Sequence, residues 1–289
     1  VEMVGAKIVF ADIDPLTKLM DINDCLKKIT KKTKIIMPVH LYGNLFPTKN
    51  LKNKINKNIM IIEDSAHAFC GEYHNNLLGK YSDFVVFSFY ATKSITCGEG
   101  GAIITNHKKF SDKIRSISNN GMTKPAFKRF VNDKYIPWDV YKYGFKANLS
   151  DINASILEDQ IINYSKIAKI KKDIYSDFKS LLEKINQLSF PKANKNKNRD
   201  FYLFPIGVNV KYRDKLIETL LQEKIFVTVN FRSITELSYY KKKYKVNSCP
   251  ISEKWGKEQI SLPFHAKMTK KDMKIVYSSI KKFFEKFNH

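Results

Sequence analysis

The sequence predicts an α/β fold: a larger domain on a mostly parallel sheet, then a smaller C-terminal α/β domain. Three observations carry that reading. In the first half, short continuous apolar runs such as IMIIEDSAHA (residues 59–68) and DFVVFSFYATK (residues 83–93) alternate with amphipathic stretches, as strands buried on both faces do when helices connect them. After residue 106 the pattern becomes mainly helical, and a second strand–helix series begins near residue 201. The chain has 289 residues, 43% of them hydrophobic, which is enough for two cores. We place the domains at residues 1–165 and 166–289.

Taken in order, KIVFADI (residues 7–13) reads as a strand, followed by a helix over 21–29. KIIMPVHLYG (34–43) is a strand running into a turn, and 47–55 a helix. Residues 59–68 and 83–93 are strands that end in polar groups, and GGAIITN (100–106) is a further strand. A helix follows over 107–118, then an irregular segment containing Pro125, Pro137 and Trp138. Ser150 and Asp151 start a long helix towards the 180s, interrupted at Asn163. KANKNKNRD (192–200) is polar and low in complexity, hence a loop. Beyond it we expect a strand over 201–210, a helix over 214–223 and a strand over 226–231. The closing helix starts at Thr269, with Asp272 positioned for a capping box. Its apolar face is Val276, Ile280, Phe283 and Phe287.

Composition narrows the function classes. Aromatics at 13%, with 11 Gly and 9 Pro, exclude a mainly disordered chain. No apolar run approaches the ~20 residues of a membrane helix, and VEMVGAKIVF has no signal-peptide pattern. The net charge of +23 points to an acidic partner: nucleic acid, an anionic membrane or a phosphorylated metabolite. Only Arg115, Arg129, Arg199, Arg213 and Arg232 are arginines, and Arg is the preferred base reader, which weakens the nucleic-acid reading. The lysines cluster beside apolar periodic positions, as in KKITKKTK (27–34), KIKK (169–172) and KKKYK (241–245); solvated helix faces account for them. Cys25, Cys70, Cys97 and Cys249 show neither a CxxC pair nor zinc-ligand spacing, so reduced thiols in a cytoplasmic protein are expected.

The motifs divide between structure and chemistry. TCGEGGAI (96–103) is not a dinucleotide loop: Ile103 stands where the third glycine belongs, and the segment leads into a strand. Asp64 ends a buried strand, where a carboxylate is costly unless a cation or several donors face it; alone, it serves equally as a helix cap. Lys93 follows the next apolar strand at the same expected sheet edge, where ligands of such sheets sit. Alone it reads as a surface lysine. Together the two suggest an amine that forms a Schiff base with an aldehyde and a carboxylate that keeps a heterocyclic nitrogen protonated. His67 lies three residues beyond Asp64, within reach of a ligand ring, although a lone His is more often structural. Ser88 offers a hydroxyl to a phosphate. His40 divides evenly between substrate contact and packing.

These residues carry a family resemblance. In GAKIVFADIDPLT, ITKKTKIIMPVHLYGN, IIEDSAHAFCGEY, GKYSDFVVFSFYATKSITCGEGGAIITN, YGFKANLSDINASILEDQI and SLPFHAKMT, the chain resembles the sugar aminotransferases of the DegT/DnrJ/EryC1/StrS family. These are fold-type-I enzymes that use pyridoxal 5′-phosphate (PLP). The resemblance implies that Lys93 is the Schiff-base lysine and the acid/base of the proton shift, and that Asp64 pairs with the pyridinium nitrogen. It places His67 beside the cofactor ring and Ser88 on the phosphate, with Asn148 reaching across a homodimer to the partner's cofactor. His40, Tyr42 and Asn230 are the substrate-binding candidates. The implied reaction moves an amino group from glutamate to a nucleotide-linked keto-deoxy sugar, supplying amino sugars for surface polysaccharide such as lipopolysaccharide.

Two departures accompany the resemblance. Relatives carry several dozen residues before the GAKIVFADID segment, including part of the phosphate grip and a ring-stacking aromatic. On that ground a truncated, non-catalytic partner subunit is the alternative expectation. NFRSI (230–234) stands where many relatives have His near the first position. A dehydratase of the same fold is disfavoured, because those relatives replace the Schiff-base Lys with His.

Overall fold

The computed structural model describes residues 1–73, 76–123, 130–131, 134–140, 142–194, 199–244 and 248–287. Pro125 of the irregular segment, residues 195–198 of the polar loop and Lys245 lie outside them.

A four-stranded mixed sheet organises the first half. Its strands are β1 (Ile35–Ile36), β2 (Met60–Asp64), β5 (Phe84–Ser88) and β6 (Gly101–Ile104), in the order β1-β2-β5-β6. β1, β2 and β5 are parallel and β6 is antiparallel at the edge. Two hairpins lie outside the sheet: β3 (Glu72–Tyr73) with β4 (Asn76–Leu77), and β7 (Phe130–Val131) with β8 (Lys134–Tyr135). Helix α2 (Thr48–Lys52) connects β1 to β2, while α1 (Ile22–Lys28) precedes β1 and α3 (Lys108–Ile117) follows β6. Asp21 starts α1 by accepting from the Asn23 and Asp24 amides. Leu19, Ile36, Phe46, Leu51 and Ile61 form the core beneath them.

The segment 7–13 does not form the expected strand. Its polar groups are taken up locally: Asp12 donates its N–H to the Asp24 carboxylate, and the Asp21 N–H bonds back to the Asp12 carbonyl. What remains of pairing is one bridge between Ile13 and Met20, because side chain and turn compete with the ladder for the same backbone groups.

α4 (Asp151–Ile162) begins at Ser150, whose hydroxyl accepts from the Asn153 amide, and it breaks at Asn163 before α5 (Tyr164–Leu182). The buried stripe of α5 joins two cores. Tyr164 packs with Phe89, Ile95, Cys97 and Leu157, whereas Tyr175, Phe178 and Leu182 enter the core of the second half. The expected boundary at 165/166 therefore falls in the first turn of a helix common to both.

The second sheet is antiparallel, in the order β11 (Gln259–Leu262), β10 (Phe204–Val208), β9 (Leu188–Ser189). α6 (Val210–Gln222), α8 (Pro250–Glu258) and α9 (Lys270–Glu285) pack with it, and α7 (Ser238–Tyr244) leads into α8. Phe178, Phe204, Ile206, Leu216, Leu220, Ile260 and Ile280 are fully buried there, each contributing about 1.5–3 kcal/mol of transfer free energy. α6 starts four residues earlier than expected because Asn209 caps it. The expected strand over 226–231 reduces to a bridge between Thr228 and Ser261. α9 carries the capping box of Thr269 and Asp272; it stops at Glu285, and Phe287 beyond it still packs its ring 5.0 Å from Phe283.

Candidate active site at the carboxyl edge of the parallel strands

β2 and β5 run in parallel with Asp64 opposite Val86, so Asp64 and Ser88 end neighbouring strands at one edge. Residues paired in register or two apart share a face. Asp64, Val86 and Ser88 therefore lie on the same side of the sheet, while Glu63 lies on the other. Two turns extend this edge. After β2, the Ser65 N–H bonds the Val86 carbonyl, the Ala66 N–H the Asp64 carboxylate, and the Ala68 N–H the Ser65 carbonyl. That tight turn places His67 inward. After β5, Lys93 donates its N–H to the Tyr90 carbonyl, and the chain returns so that Cys97 bonds the Phe89 carbonyl. Ile95 and Cys97 anchor this loop in the core.

His67 and Lys93 both lie against the Tyr202 ring. The His67 ring is 7% exposed, 4.5 Å from the Tyr202 ring and stacked 5.8 Å from Phe231. Burial and then the Lys93 charge lower its pKa from 6.5 to about 3, so it is a neutral imidazole. Its Nδ1 accepts the Tyr42 N–H at 3.4 Å, which assigns the proton to Nε2. Lys93 Nζ lies 4.7 Å above the Tyr202 ring, a cation–π distance. Among the described residues, neither Lys93 nor Asp64 forms an ion pair. An acid and an amine without counter-ions at one sheet edge, with a neutral imidazole and aromatic faces beside them, fit a cofactor with a protonated heterocycle and an aldehyde.

The other candidates divide. Ser88 is half-buried and its Oγ accepts the Tyr90 N–H at 3.4 Å. Tyr42 is 4% exposed; its hydroxyl donates to the Asn230 carbonyl and accepts the Trp255 Nε1–H at 3.1 Å. It thus ties the segment around Asn230 to His67. The Asn230 side-chain oxygen is buried without a hydrogen-bond partner among the described residues. His40 is fully buried. Its Nδ1 accepts the Phe46 N–H at 2.9 Å, and its Nε2 lies 3.4 Å from Glu63. Of its two readings, this enclosure favours packing. Glu63 keeps a lowered pKa although burial opposes ionisation, because the nearby His40 ring, then Thr48 and the Gly79 N–H, which donates to its carboxylate at 3.1 Å, favour the charged form. Asn148 is exposed before α4 and accepts from Lys146 Nζ.

Sequence reasoning did not single out Ser94, Lys171, Asp200 or Tyr202. Asp200 is 2% exposed, accepts from Ser94 Oγ at 2.8 Å and from the Phe69 N–H at 3.1 Å, and lies 3.7 Å from Lys171 Nζ. Burial lowers the Lys171 pKa, with Asp200 opposing. A buried lysine on an otherwise apolar helix stripe was the available signal.

Comparison with known proteins identifies the family and the fold. The family model described as the DegT/DnrJ/EryC1/StrS aminotransferase family matches residues 1–281. The uncharacterized protein MJ1066 of Methanocaldococcus jannaschii is 32% identical over 284 residues, covering 96% of this chain and 74% of that protein. The spore coat polysaccharide biosynthesis protein SpsC of Bacillus subtilis is 30% identical, covering 96% and 73%. Among solved structures, Helicobacter pylori PseC, an aminotransferase involved in pseudoaminic acid biosynthesis, superposes with a TM-score of 0.89 at 24% identity, covering 99% of this chain and 76% of that one. This likeness bears on the fold. The PMP form of Spr1654 from Streptococcus pneumoniae gives a TM-score of 0.87 at 26% identity, covering 99% and 78%, and that protein is also solved in a PLP form. The chain therefore belongs to the DegT/DnrJ/EryC1/StrS family of PLP-dependent sugar aminotransferases.

Proposed function

We propose that this protein transfers an amino group from glutamate to a nucleotide-linked keto-deoxy sugar, in the cytoplasm and as a homodimer, for surface polysaccharide biosynthesis. One observation carries the reading: the Lys93 amine and the Asp64 carboxylate, neither in an ion pair among the described residues, lie at one sheet edge, with neutral His67 near the amine. The division near residue 165 separates the part that holds the cofactor from the part that supplies Asn230.

PLP, when bound, supplies an aldehyde for the amine and a protonated ring that withdraws electrons. Asp64 would hold the proton on the ring nitrogen, its charge favouring the protonated form in a desolvated site. Lys93 would be the covalent anchor and, with its amine free, the acid/base that carries the proton between the donor's α-carbon and the cofactor's aldehyde carbon. Its fixed position removes much of the entropic cost of that transfer. His67, neutral and ring-stacked, would pack against the cofactor without adding a positive charge to it. The Ser88 hydroxyl and Asn148 of the partner subunit would hold the phosphate. Tyr42 and Asn230 would border the sugar, and His40 would support them from the core.

The test is absorbance and trapping. Purified protein incubated with PLP should gain a visible band, and borohydride followed by mass spectrometry should find the cofactor on Lys93. A chain that stays colourless and unlabelled defeats the proposal and favours the non-catalytic partner subunit. Glutamate with a panel of keto sugar-nucleotides then identifies the acceptor.

A further inference from the structure

Segment 200–202 touches both turns of the site. On the lysine side, Ser94 Oγ donates to Asp200 Oδ1 at 2.8 Å, Thr92 Oγ1 lies 3.3 Å from the Tyr202 hydroxyl, and Lys93 Nζ lies 4.7 Å above the Tyr202 ring. Three consecutive residues, 92 to 94, are thus held by one short stretch of chain. On the other side, the Phe69 N–H donates to Asp200 Oδ2 at 3.1 Å, and the His67 ring sits 4.5 Å from Tyr202. The two oxygens of one carboxylate therefore serve different turns.

The arrangement is fixed from behind. Asp200 is 2% exposed, and a buried carboxylate needs partners. Lys171 Nζ provides one at 3.7 Å and also donates to Ser94 Oγ at 3.1 Å. The Ser94 hydroxyl accordingly accepts from the lysine while donating to the acid, a chain with one orientation. Backbone packing adds to this: a β-carbon on Gly43 would come within 1.7 Å of the Asp200 carbonyl oxygen.

We propose that Asp200 and Tyr202 are positioning residues for the Lys93 amine: by clamping the 92–94 turn to the 67–69 turn they set how fast that amine reacts. The inference rests on the reading of Lys93 as the reactive amine. A lysine side chain has four rotatable bonds, and a turn held at the residues on both sides, with an aromatic face beneath the ammonium, narrows the positions it samples. Reactivity that depends on approach then depends on the clamp.

The full chain is compared as wild type, Ser94→Ala, Ser94→Thr and Asp200→Asn, with circular dichroism and melting to establish folding. Two rates are read. One is reductive methylation of Lys93 by formaldehyde with cyanoborohydride as the hydride donor, without cofactor, measured by mass spectrometry against the exposed lysines of the same sample. The other is growth of the visible band of covalently attached PLP. Ser94→Ala should fold as wild type, change the relative methylation of Lys93 by about fivefold or more and slow PLP attachment by about tenfold, while Ser94→Thr, which restores the hydroxyl, returns both to within about twofold. Asp200→Asn should match or exceed the alanine effect; if it does not fold, the Ser94 pair decides. Should Ser94→Ala keep wild-type rates in both readouts, the clamp is overturned while the cofactor reading stands. Should wild-type protein attach no PLP, the cofactor reading falls and methylation alone decides: a changed rate supports the clamp, and an unchanged one overturns it.

Discussion

His67 links site geometry to a measurable pH dependence. Burial, then the Lys93 charge, lowers its pKa from 6.5 to about 3. Below pH 6.5 the unfolded chain takes up a proton that the folded chain refuses. Stability is therefore full above that value and is lost as pH falls towards the folded pKa. Each pH unit in that window costs about 1.4 kcal/mol. From about pH 8 to pH 5 the loss attributable to this one ring is about 2 kcal/mol. The perturbation is His67→Gln, which keeps a hydrogen-bonding side chain and removes the titration. Urea unfolding of both proteins across this range should show wild type losing about 2 kcal/mol relative to the variant. Ring NMR should show no His67 titration between about pH 5 and 8. In Lys93→Met, with the neighbouring charge gone, the ring should titrate at a higher pH than in wild type. A wild-type ring that titrates near 6.5, or a stability difference that stays flat with pH, would refute both the effect of burial on His67 and that of the Lys93 charge.

Three further outcomes follow from named contacts. Lys93→Ala should lose borohydride-fixable PLP and reduce turnover by about 10³-fold, read by trapping and by a coupled transaminase assay. Asp12→Ala should cost about 1–2 kcal/mol in urea unfolding, because the Asp12 carboxylate receives the Ile251 and Ser252 amides at the start of α8, where Cys249 provides no side-chain cap. Gly43→Ala should cost about 2–5 kcal/mol, from a left-handed φ of 79° and from overlap with the Asp200 carbonyl. The same variant should weaken PLP uptake in titrations, since relief of the overlap displaces segment 200–202.

What was legible in the sequence depended on whether the signal was local. IMIIED and FVVFS are apolar enough to form strands only as buried neighbours, and their polar ends follow from strand length, so Asp64, His67, Ser88 and Lys93 could be placed at one edge without coordinates. KIVFADI misled because its apolar residues suit a strand, while Asp12, Asp21 and Asp24 capture backbone groups at its end that a ladder would need. His40 and Tyr42 stood at the right edge by sequence. The chain bends there, with Tyr42 at a left-handed φ of 58°, and buries both side chains. Asp200 was hidden for a different reason. It closes a Lys- and Asn-rich run with the composition of a solvated loop, and its partners Phe69, Ser94 and Lys171 are 131, 106 and 29 residues away. No local pattern records a contact that exists only when the two halves of the chain pack together. Lys171 alone gave a hint, because it lies on the α5 stripe of Tyr164, Tyr175, Phe178 and Leu182, where a charge is costly unless something opposite neutralises it. The local part of the site supplies the amine and the acid, and the non-local part governs how firmly the amine is held, so substitutions at Asp200 should alter rates before they alter which cofactor is bound.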